Sequence, residues 1–418
     1  MKVHLFLLII IADLFLCTPA FSAQVKLVSS RRDGRPGDMQ IEQAVKAGVE
    51  YIKKKQKNYG GWTIVEPKKA MGTGFVQRQH YTRYEPGVTA LAVYALVQCD
   101  TSLEDKSVQT GINYLLNVGI FSNTEHSVAA DLTTYDAAMI AVALSAVIEK
   151  NKENLAGQPT ILDLSAYFRK IAEAVQWLIQ AQHADPRGKK RGKQQIAANI
   201  IPTLKTRGGY DLSGFHGASS AAWNYQLEDN GPIDNSNTQF ALLGLRAAQN
   251  IKNSRGAAAA DINIPPAVWQ KALAYLVSTQ TGRGWGYRDE PMPLEVMTVA
   301  GMGGIIICIS SLVENADNAQ IMKTSEVVEA MSLWEEMYPQ HLSNRLLDGY
   351  VLYSIERTCM LGGITAVGSH DWYQDGVKML LNRQNSDGYF TGKGPCIDSE
   401  VQTALALLFL RKIYVPVR

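Results

Sequence analysis

Two kinds of predicted helix alternate along the chain. The first kind is amphipathic, with apolar residues at steps of three and four, as in Ile41, Ala44, Val45, Val49 and Ile52. Helices of this kind are predicted near 40–56, 105–117, 164–182, 266–280, 323–338 and 370–384. The second kind is apolar on every side, as in a helix with no solvent face. It is predicted near 86–98, 133–149, 235–250, 295–313, 345–360 and 399–412.

The apolar helices form a repeat. Each begins at a polar or acidic residue and continues with small and apolar residues, as in DNSNTQFALLGLRAA at 234–248, and similar stretches begin at Glu85, Thr133, Pro293 and Ile397. The last helix is as apolar as those in the middle, whereas an open repeat array needs a polar end. We therefore predict an all-α fold of six inner and six outer helices that close into a ring, an α6/α6 toroid.

A second pattern follows several amphipathic helices. A Gln precedes Gly and an aromatic residue: Gln56 before Gly60-Gly61-Trp62, Gln182 before Gly208-Gly209-Tyr210, Gln280 before Gly284-Trp285-Gly286-Tyr287, and Gln384 before Asp387-Gly388-Tyr389. Glycine ends a helix and permits a positive φ. We interpret the pattern as structural, with the aromatic ring over the helix ends and the Gln hydrogen-bonded to neighbouring backbone groups.

The N-terminus predicts export. Lys2 precedes an apolar run at 5–16, and small residues near Ser22 and Ala23 offer a cleavage site, which is typical of a secretory signal. We predict a signal peptide at 1–23, a flexible linker at 24–38, and one toroid domain at 39–418 with a long inserted loop at about 185–233. The mature protein is expected in the periplasm or outside the cell, with no transmembrane segment.

Charge and cysteines exclude some functions. The formal net charge is +2, which gives no reason to expect nucleic acid, and the basic run at 187–193 is interpreted as a solvated loop. The mature chain retains Cys99, Cys308, Cys359 and Cys396, without a CxxC pair. We expect buried free thiols, and neither a metal site nor a cofactor.

At the level of the repeat, the chain resembles squalene–hopene cyclases and protein prenyltransferase β subunits. Those cyclases protonate an alkene with an Asp-x-Asp-Asp-Thr motif, which here is similar to Asp234-Asn235-Ser236-Asn237-Thr238, with Ser236 at the proton donor. The zinc ligands of the prenyltransferases are matched by Asp348, but Tyr350 and Gln402 replace the Cys and His. The resemblance therefore implies the toroid fold. It implies neither the cyclase reaction nor the zinc-dependent prenyltransferase reaction.

A weaker resemblance is to α/α-toroid polysaccharide lyases, which carry Asp-Asn-x-x-Thr near an inner helix. A lyase needs a base and a cation near the reacting carbon. Arg345, His341, His370 and Asp371 are candidates, with Asp234 as a further catalytic candidate. His370 and Asp371 could form an acid–base pair, although the pair more readily caps the following helix.

The inner helices begin at acidic residues, namely Glu85, Asp131 or Asp136, Asp234, Glu295, Asp348 and Asp398. Helix capping explains such a pattern better than a ring of carboxylates for a polar substrate, although both interpretations stay open. Residues predicted to bind a ligand are Asp234, Asn235, Asn237, Gln239, Tyr210, His216, Trp285, Tyr287, Asp348 and Tyr350.

Three functional hypotheses follow. The first is a protein that binds an isoprenoid, a lipid or another small ligand in the central cavity, without cyclase activity. The second is a carbohydrate-active lyase or hydrolase at the acidic rim, with a glycan as its ligand. The third is a cell-envelope scaffold that binds a protein partner through an apolar patch on the outside of the ring. Whether the central cavity is open is not fixed by the sequence.

Overall fold

A computed structural model of the protein describes residues 36–63, 84–120, 132–154, 163–185, 200–205, 208–228, 231–288, 290–343, 348–392 and 398–412. The chain divides into two compact units, Met1–Asp38 and Met39–Arg418, and all elements except the start of the first helix belong to the second. The predicted signal peptide, the basic run at 187–193, Arg345 and Cys396 lie outside the described residues.

The described residues are mainly helical. The helices are α1 (Pro36–Lys55), α2 (Glu85–Gln98), α3 (Lys106–Asn117), α4 (Thr134–Asn154), α5 (Ser165–Gln180), α6 (Asn235–Arg255), α7 (Pro266–Thr279), α8 (Glu295–Leu312), α9 (Asn318–Ile321), α10 (Ser325–Ser343), α11 (Gly349–Gly362), α12 (Trp372–Leu381) and α13 (Ser399–Arg411). The prediction of an all-α fold is confirmed, and each predicted helix has a counterpart. The short α9 was not predicted.

The all-apolar helices contact one another in cyclic order. Helix α2 packs on α4, α4 on α6, α6 on α8, α8 on α11, α11 on α13, and α13 on α2 again. We call these six the ring helices. The amphipathic helices pack outside them, for example α3 on α2, α5 on α4 and α6, and α7 and α10 on α8. This cyclic order is what the toroid prediction requires.

Hydrogen bonds between distant parts of the sequence accompany the closure. The Tyr51 hydroxyl in α1 donates to Ser399 Oγ at the start of α13 at 2.8 Å. The Gln384 side chain after α12 donates to the carbonyl of Ala44 in α1, also at 2.8 Å. The first and last helices of the second unit are therefore joined directly.

The Gln residues of the repeat bond to backbone carbonyls, as predicted. Gln56 donates to Gly60 and Ser107, Gln280 to Arg283 and Glu326, and Gln384 to Gly388 and Ala44. A threonine in the first turns of four ring helices accepts from the backbone N–H of the buried aromatic residue. These pairs are Thr89 with Trp62, Thr238 with Trp223, Thr298 with Trp285, and Thr403 with Phe390. The recurring threonine thus anchors each connection to its ring helix.

Two predicted aromatic positions were wrong. After Gln182 the anchored ring is Trp223, whose indole donates to the carbonyl of Leu178 at 2.7 Å, and not Tyr210. After Gln384 it is Phe390, which is fully buried, and not the neighbouring Tyr389. In the first case a long insertion separates the Gln from its aromatic partner, so sequence proximity selected the wrong residue.

Short strands, which were not predicted, occupy the inserted segment. Strand β1 (Gln182–Ala184) pairs antiparallel with β4 (Ala221–Trp223), with Gln182 opposite Trp223. Strand β2 (Thr203–Lys205) pairs antiparallel with β3 (Gly209–Asp211). The β1–β4 pair returns the chain from the insertion to the end of α5, and this places Trp223 in the repeat position.

Burial agrees with the helix types. Every residue of α2 from Pro86 to Val97 is buried. Cys99, Cys308 and Cys359 are buried free thiols, as predicted. Among the described residues, α8 alone is long and apolar enough to cross a membrane, but 78% of it is buried, which is usual for a core helix.

Candidate functional site: the ring axis

The starts of the ring helices lie at one end of the ring. The N–H of Gly87 in α2 donates to Asp136 in α4, and Gly349 in α11 donates to Gln402 in α13, at 2.7 and 2.8 Å. Ser236 in α6 bonds to the first turns of α4 and α11. We call this end the N-terminal rim.

The acidic residues of the rim are engaged in the fold. Asp234, Asp348 and Asp398 accept backbone N–H groups and cap α6, α11 and α13, so the capping interpretation is confirmed for these three. Asp136 accepts from Gly87 and Thr133. Glu85 accepts from the Tyr114 hydroxyl of α3 at 3.0 Å. Asp136 and Glu85 therefore link neighbouring helices, whereas the three capping aspartates stabilise the starts of their own helices.

Hydroxyl and amide groups from three ring helices meet inside the rim. Ser236 Oγ lies 2.7 Å from the Tyr135 hydroxyl of α4 and 2.8 Å from the Tyr350 hydroxyl of α11. Tyr350 also donates to Gln239 Oε1 at 3.0 Å, and so does Ser354 at 3.3 Å. We call these five residues the rim hydroxyl cluster. Because α4 and α11 are separated in the ring order, the cluster crosses the interior of the ring.

Asp234 is buried directly beside this cluster. It accepts the Asn237 backbone N–H and side-chain Nδ2, both at 2.8 Å, and burial raises its pKa above the usual value although these bonds oppose the shift. Asn235 is held by its Nδ2 on the Gly286 carbonyl at 2.7 Å. The hydroxyls of Tyr287 and Tyr225 lie 3.0 Å apart. Several of these polar groups satisfy one another, as in a structural network, but among the described residues the buried Oδ1 atoms of Asn235 and Asn237 accept no hydrogen bond.

Aromatic rings fill the axis below the rim hydroxyl cluster. The ring of Phe240 packs edge-on against Tyr135 at 4.9 Å between centroids, and it stacks on Tyr350 and Tyr353 at 6.1 and 6.0 Å. Phe240 and Tyr353 are buried. The rim end of the axis is thus closed by side chains from α4, α6 and α11.

A pocket lies further along the axis, beyond the aromatic rings. We call it the axial pocket, and its volume is about 40 Å³. It is lined by Tyr94, Val142, Leu243, Arg246, Ala247, Tyr353, Arg357, Met360 and Leu361. Leu243, Ala247 and Met360 are only half-buried, so the pocket is open to solvent. A single water needs about 10–15 Å³ by this kind of measure, so the pocket has room for about three waters or for a similarly small part of a larger molecule.

Two arginines from different ring helices reach the axial pocket. Arg357 pairs with the adjacent Glu356 in α11, and its Nη1 lies 3.5 Å from the Tyr94 hydroxyl of α2. Arg246 of α6 donates to the Ser310 carbonyl and the Ser311 hydroxyl at 3.3 and 3.2 Å. Burial lowers the pKa of Arg246 to about 10. Apolar walls with a few polar groups are the usual composition of a ligand pocket.

A separate cluster of ionisable groups lies where α8, α10 and α12 begin or end. Glu295 accepts His341 Nδ1 at 2.8 Å and the Trp334 indole at 2.9 Å, and this contact raises the pKa of His341. His370 Nδ1 lies 3.2 Å from Asp375, and its ring packs edge-on against Tyr338. Asp371 caps α12, the interpretation that the sequence favoured, and the imidazole of His370 contacts Asp375 and not Asp371.

The predicted ligand-binding residues do not form a single site. Asp234, Asn235, Asn237, Gln239, Tyr287 and Tyr350 lie together at the rim. Asp348 caps the neighbouring helix, and Trp285 is fully buried with its indole on the Leu276 carbonyl. Tyr210 bonds to Asp317 and Thr324, and the exposed His216 faces Glu326 at 3.7 Å. Ligand binding by any of them stays a prediction.

Tyr94, Arg246 and Arg357 were missed as candidate site residues. Each is buried among apolar residues of a ring helix, although α6 and α11 also carry other polar residues. A charged side chain that is buried in this way needs a partner inside the ring. An arginine in a mainly apolar stretch of a predicted helix was therefore a signal for both positions.

Comparisons with known proteins add structural likeness only. No family model and no curated protein matches the chain. An apo variant of MstE, a type II terpene cyclase from Scytonema, is 13% identical with a TM-score of 0.44, over 90% of this chain and 98% of that one. An MstE variant in complex with its substrate, geranylgeranyl dihydroxybenzoate, is 12% identical with a TM-score of 0.44, and the match covers 90% of this chain and 97% of that one. An MstE variant in complex with its product, merosterolic acid A, is 14% identical with a TM-score of 0.41, and the match covers 90% of this chain and 98% of that one. Identity this low assigns no activity to this chain.

Proposed function

We propose that this protein binds a small apolar or amphipathic molecule, such as part of a lipid or isoprenoid, in the axial pocket. The observation that carries the proposal is the pocket itself, which opens to solvent between apolar side chains of α2, α4, α6 and α11. Four helices of a closed ring provide rigid walls, so little ordering is needed when a ligand enters.

The size of the axial pocket limits the ligand. The rim end of the axis is closed by Tyr135, Phe240 and Tyr350, so a molecule enters from the opposite end. A long chain must displace side chains there, and Met360 is the most adaptable of them because its unbranched side chain changes rotamer easily. A short ligand, or one end of a long one, is therefore proposed.

Cyclisation of the ligand is not part of the proposal. The position of the proton donor in the related cyclase motif is Ser236, and its hydroxyl is engaged by two tyrosines. A hydroxyl group is too weak an acid to protonate an alkene. The carbohydrate-active alternative has less support, because the rim carboxylates hold backbone and side-chain groups of the fold. We propose further that binding takes place after export.

Filling the pocket tests the proposal. Ala247→Phe places a ring in the axial pocket, while Ala257→Phe adds the same ring at an exposed position beyond α6. Binding of N-phenylnaphthylamine, a neutral fluorescent probe, is measured alongside native mass spectrometry of the purified protein. We expect the probe to bind the unaltered protein and Ala257→Phe, and to be lost from Ala247→Phe. Equal binding by a folded Ala247→Phe variant would refute the proposed site.

A further inference from the structure

The polar side chains that line the axial pocket are hydrogen-bond donors. They belong to Tyr94, Arg246, Tyr353 and Arg357, and the other lining residues are apolar. An arginine only donates hydrogen bonds, whereas a tyrosine hydroxyl donates one and can also accept. No residue on the described pocket wall carries a carboxylate or an amide side chain. The side-chain chemistry of this wall is therefore suited to a ligand group that accepts hydrogen bonds.

The hydroxyl group of Tyr353 is a donor without an acceptor. Among the described residues it makes no hydrogen bond, although its ring stacks on Phe240 at 6.0 Å between centroids and lies 5.8 Å from the Arg357 guanidinium. Tyr353 is only 1% exposed, so bulk water cannot surround its hydroxyl. Most buried hydroxyl groups in proteins are hydrogen-bonded. A donor that is left free on a pocket wall is therefore a contact point for a ligand.

Tyr94 supplies a second hydroxyl hydrogen from α2. Its oxygen accepts from Arg357 Nη1 at 3.5 Å, and the described residues offer no acceptor for its own hydrogen. Tyr94 is 2% exposed. Burial raises the pKa of both tyrosines above the usual value, and the nearby Tyr94 adds to the shift of Tyr353. The two hydroxyl groups therefore interact with each other, and both keep their protons.

Building on the proposed function, we infer that the ligand of the axial pocket is an amphiphile whose carbonyl oxygen accepts hydrogen bonds from the Tyr94 and Tyr353 hydroxyls. A carbonyl oxygen has two lone pairs and no hydrogen to donate, so it can accept from both tyrosines. Room for about three waters suits one such group with the carbon atoms next to it. The hydrocarbon part contacts Leu243, Ala247 and Met360 at the open side. A hydrocarbon end in the pocket would leave both donors unpaired, which is costly where water is excluded.

The test compares methyl hexyl ketone with its alkene counterpart, in which C=CH₂ replaces C=O. Each compound displaces the neutral fluorescent probe from the purified full chain, and the affinity of the probe itself is measured for every variant. Tyr353→Phe removes one donor and keeps the ring that stacks on Phe240. It should bind the ketone about fivefold or more weakly, because the carbonyl oxygen loses a hydrogen bond, and should bind the alkene unchanged. Tyr94→Phe should act in the same direction.

Tyr338→Phe is the matched control. Tyr338 is also fully buried, and its hydroxyl has no hydrogen-bond partner among the described residues, but it does not line the axial pocket. This variant should bind both compounds as the unaltered protein does. Comparison of the ketone with the alkene in each variant removes the difference in transfer from water, because that difference is the same for every variant.

The outcomes separate this inference from the proposed function. A loss of ketone binding in only one variant supports the inference and assigns the hydrogen bond to that tyrosine. If folded Tyr353→Phe and Tyr94→Phe both retain full ketone affinity, or if they lose the alkene equally, the inference is wrong while the pocket remains a binding site. If neither compound nor the probe binds the unaltered protein, the proposed function fails as well.

Discussion

Removal of the Ser236 hydroxyl is expected to lower the free energy of unfolding, because this hydroxyl bonds to Tyr135 and Tyr350 inside the ring. In Ser236→Ala the hydroxyl of Tyr135 loses its partner at 2.7 Å, whereas Tyr350 keeps Gln239 Oε1 at 3.0 Å. A lost hydrogen bond costs about 0.5–1.5 kcal/mol, and an unsatisfied buried group about 1–3 kcal/mol. Tyr135 is half-buried, so water can bond to its hydroxyl and reduce the cost of leaving that group unsatisfied. We expect a loss of roughly 2 kcal/mol in the free energy of unfolding.

A double-mutant cycle separates the hydrogen bond from other effects. Tyr135→Phe alone should cost about 1 kcal/mol for one lost hydrogen bond. In the double variant no tyrosine hydroxyl is left without a partner at position 135. The combined loss should therefore be smaller than the sum of the single losses by about 1 kcal/mol. Urea denaturation followed by circular dichroism gives the three values.

Ser145 provides the control for the substitution itself. It is 5% exposed, as is Ser236, and its buried hydroxyl has no hydrogen-bond partner among the described residues. Ser145→Ala should therefore be neutral or slightly stabilising, because no hydrogen bond is lost and a buried polar group is removed. The reasoning is refuted if Ser236→Ala costs no more than Ser145→Ala, or if the cycle is additive.

Two further predictions concern the walls of the ring. A Cβ at Gly301 would lie 2.4 Å from the Trp285 ring, so Gly301→Ala should lower the free energy of unfolding by about 1–3 kcal/mol. Gly214→Ala is the control and should change this free energy little, because its Cβ would have no contact closer than 3.6 Å. Equal effects of the two substitutions in urea denaturation would contradict the packing argument. The pKa of His341 is raised by Glu295, so its contribution to stability is present below the unfolded value of 6.5 and is lost as pH rises through the folded pKa. In urea denaturation, the free energy of unfolding of the unaltered protein should therefore exceed that of His341→Gln by less as pH rises through the folded pKa of His341. If this excess grows with pH instead, the ion pair with Glu295 does not stabilise the fold.

The helices could be predicted because each carries its own signal. The apolar residues of α1 recur at helical spacing, and α2 is buried on every side, so local pattern and tertiary position agree. The closed ring followed from one argument about α13, whose apolar faces need cover at the end of the chain. The helix predictions used information contained within single segments, and the ring prediction added the repetition of one pattern along the chain.

The site could be predicted less well because it depends on contacts between segments. The pairing of Gln182 with Trp223 is set by the β1–β4 ladder across the insertion, and the spacing in sequence favoured Tyr210 instead. Arg246 donates to Ser310 in α8, and Arg357 contacts Tyr94 in α2, so these contacts join segments that are far apart in sequence. Of the candidate residues at the rim, Asp234 and Asp348 are polar because they cap helices, and in sequence a capping residue is indistinguishable from a binding residue.

The contact between α13 and α2 has a consequence for synthesis of the protein on the ribosome. About 300 residues separate the end of α2 from the start of α13, so at typical translation rates of about 5–20 residues per second one side of α2 stays uncovered for roughly 15–60 s. During that interval the nascent chain exposes the apolar surface that α13 later covers. The core of the ring is therefore incomplete until α13 has been synthesised. Because the incomplete chain exposes apolar surface, we expect molecular chaperones to bind it.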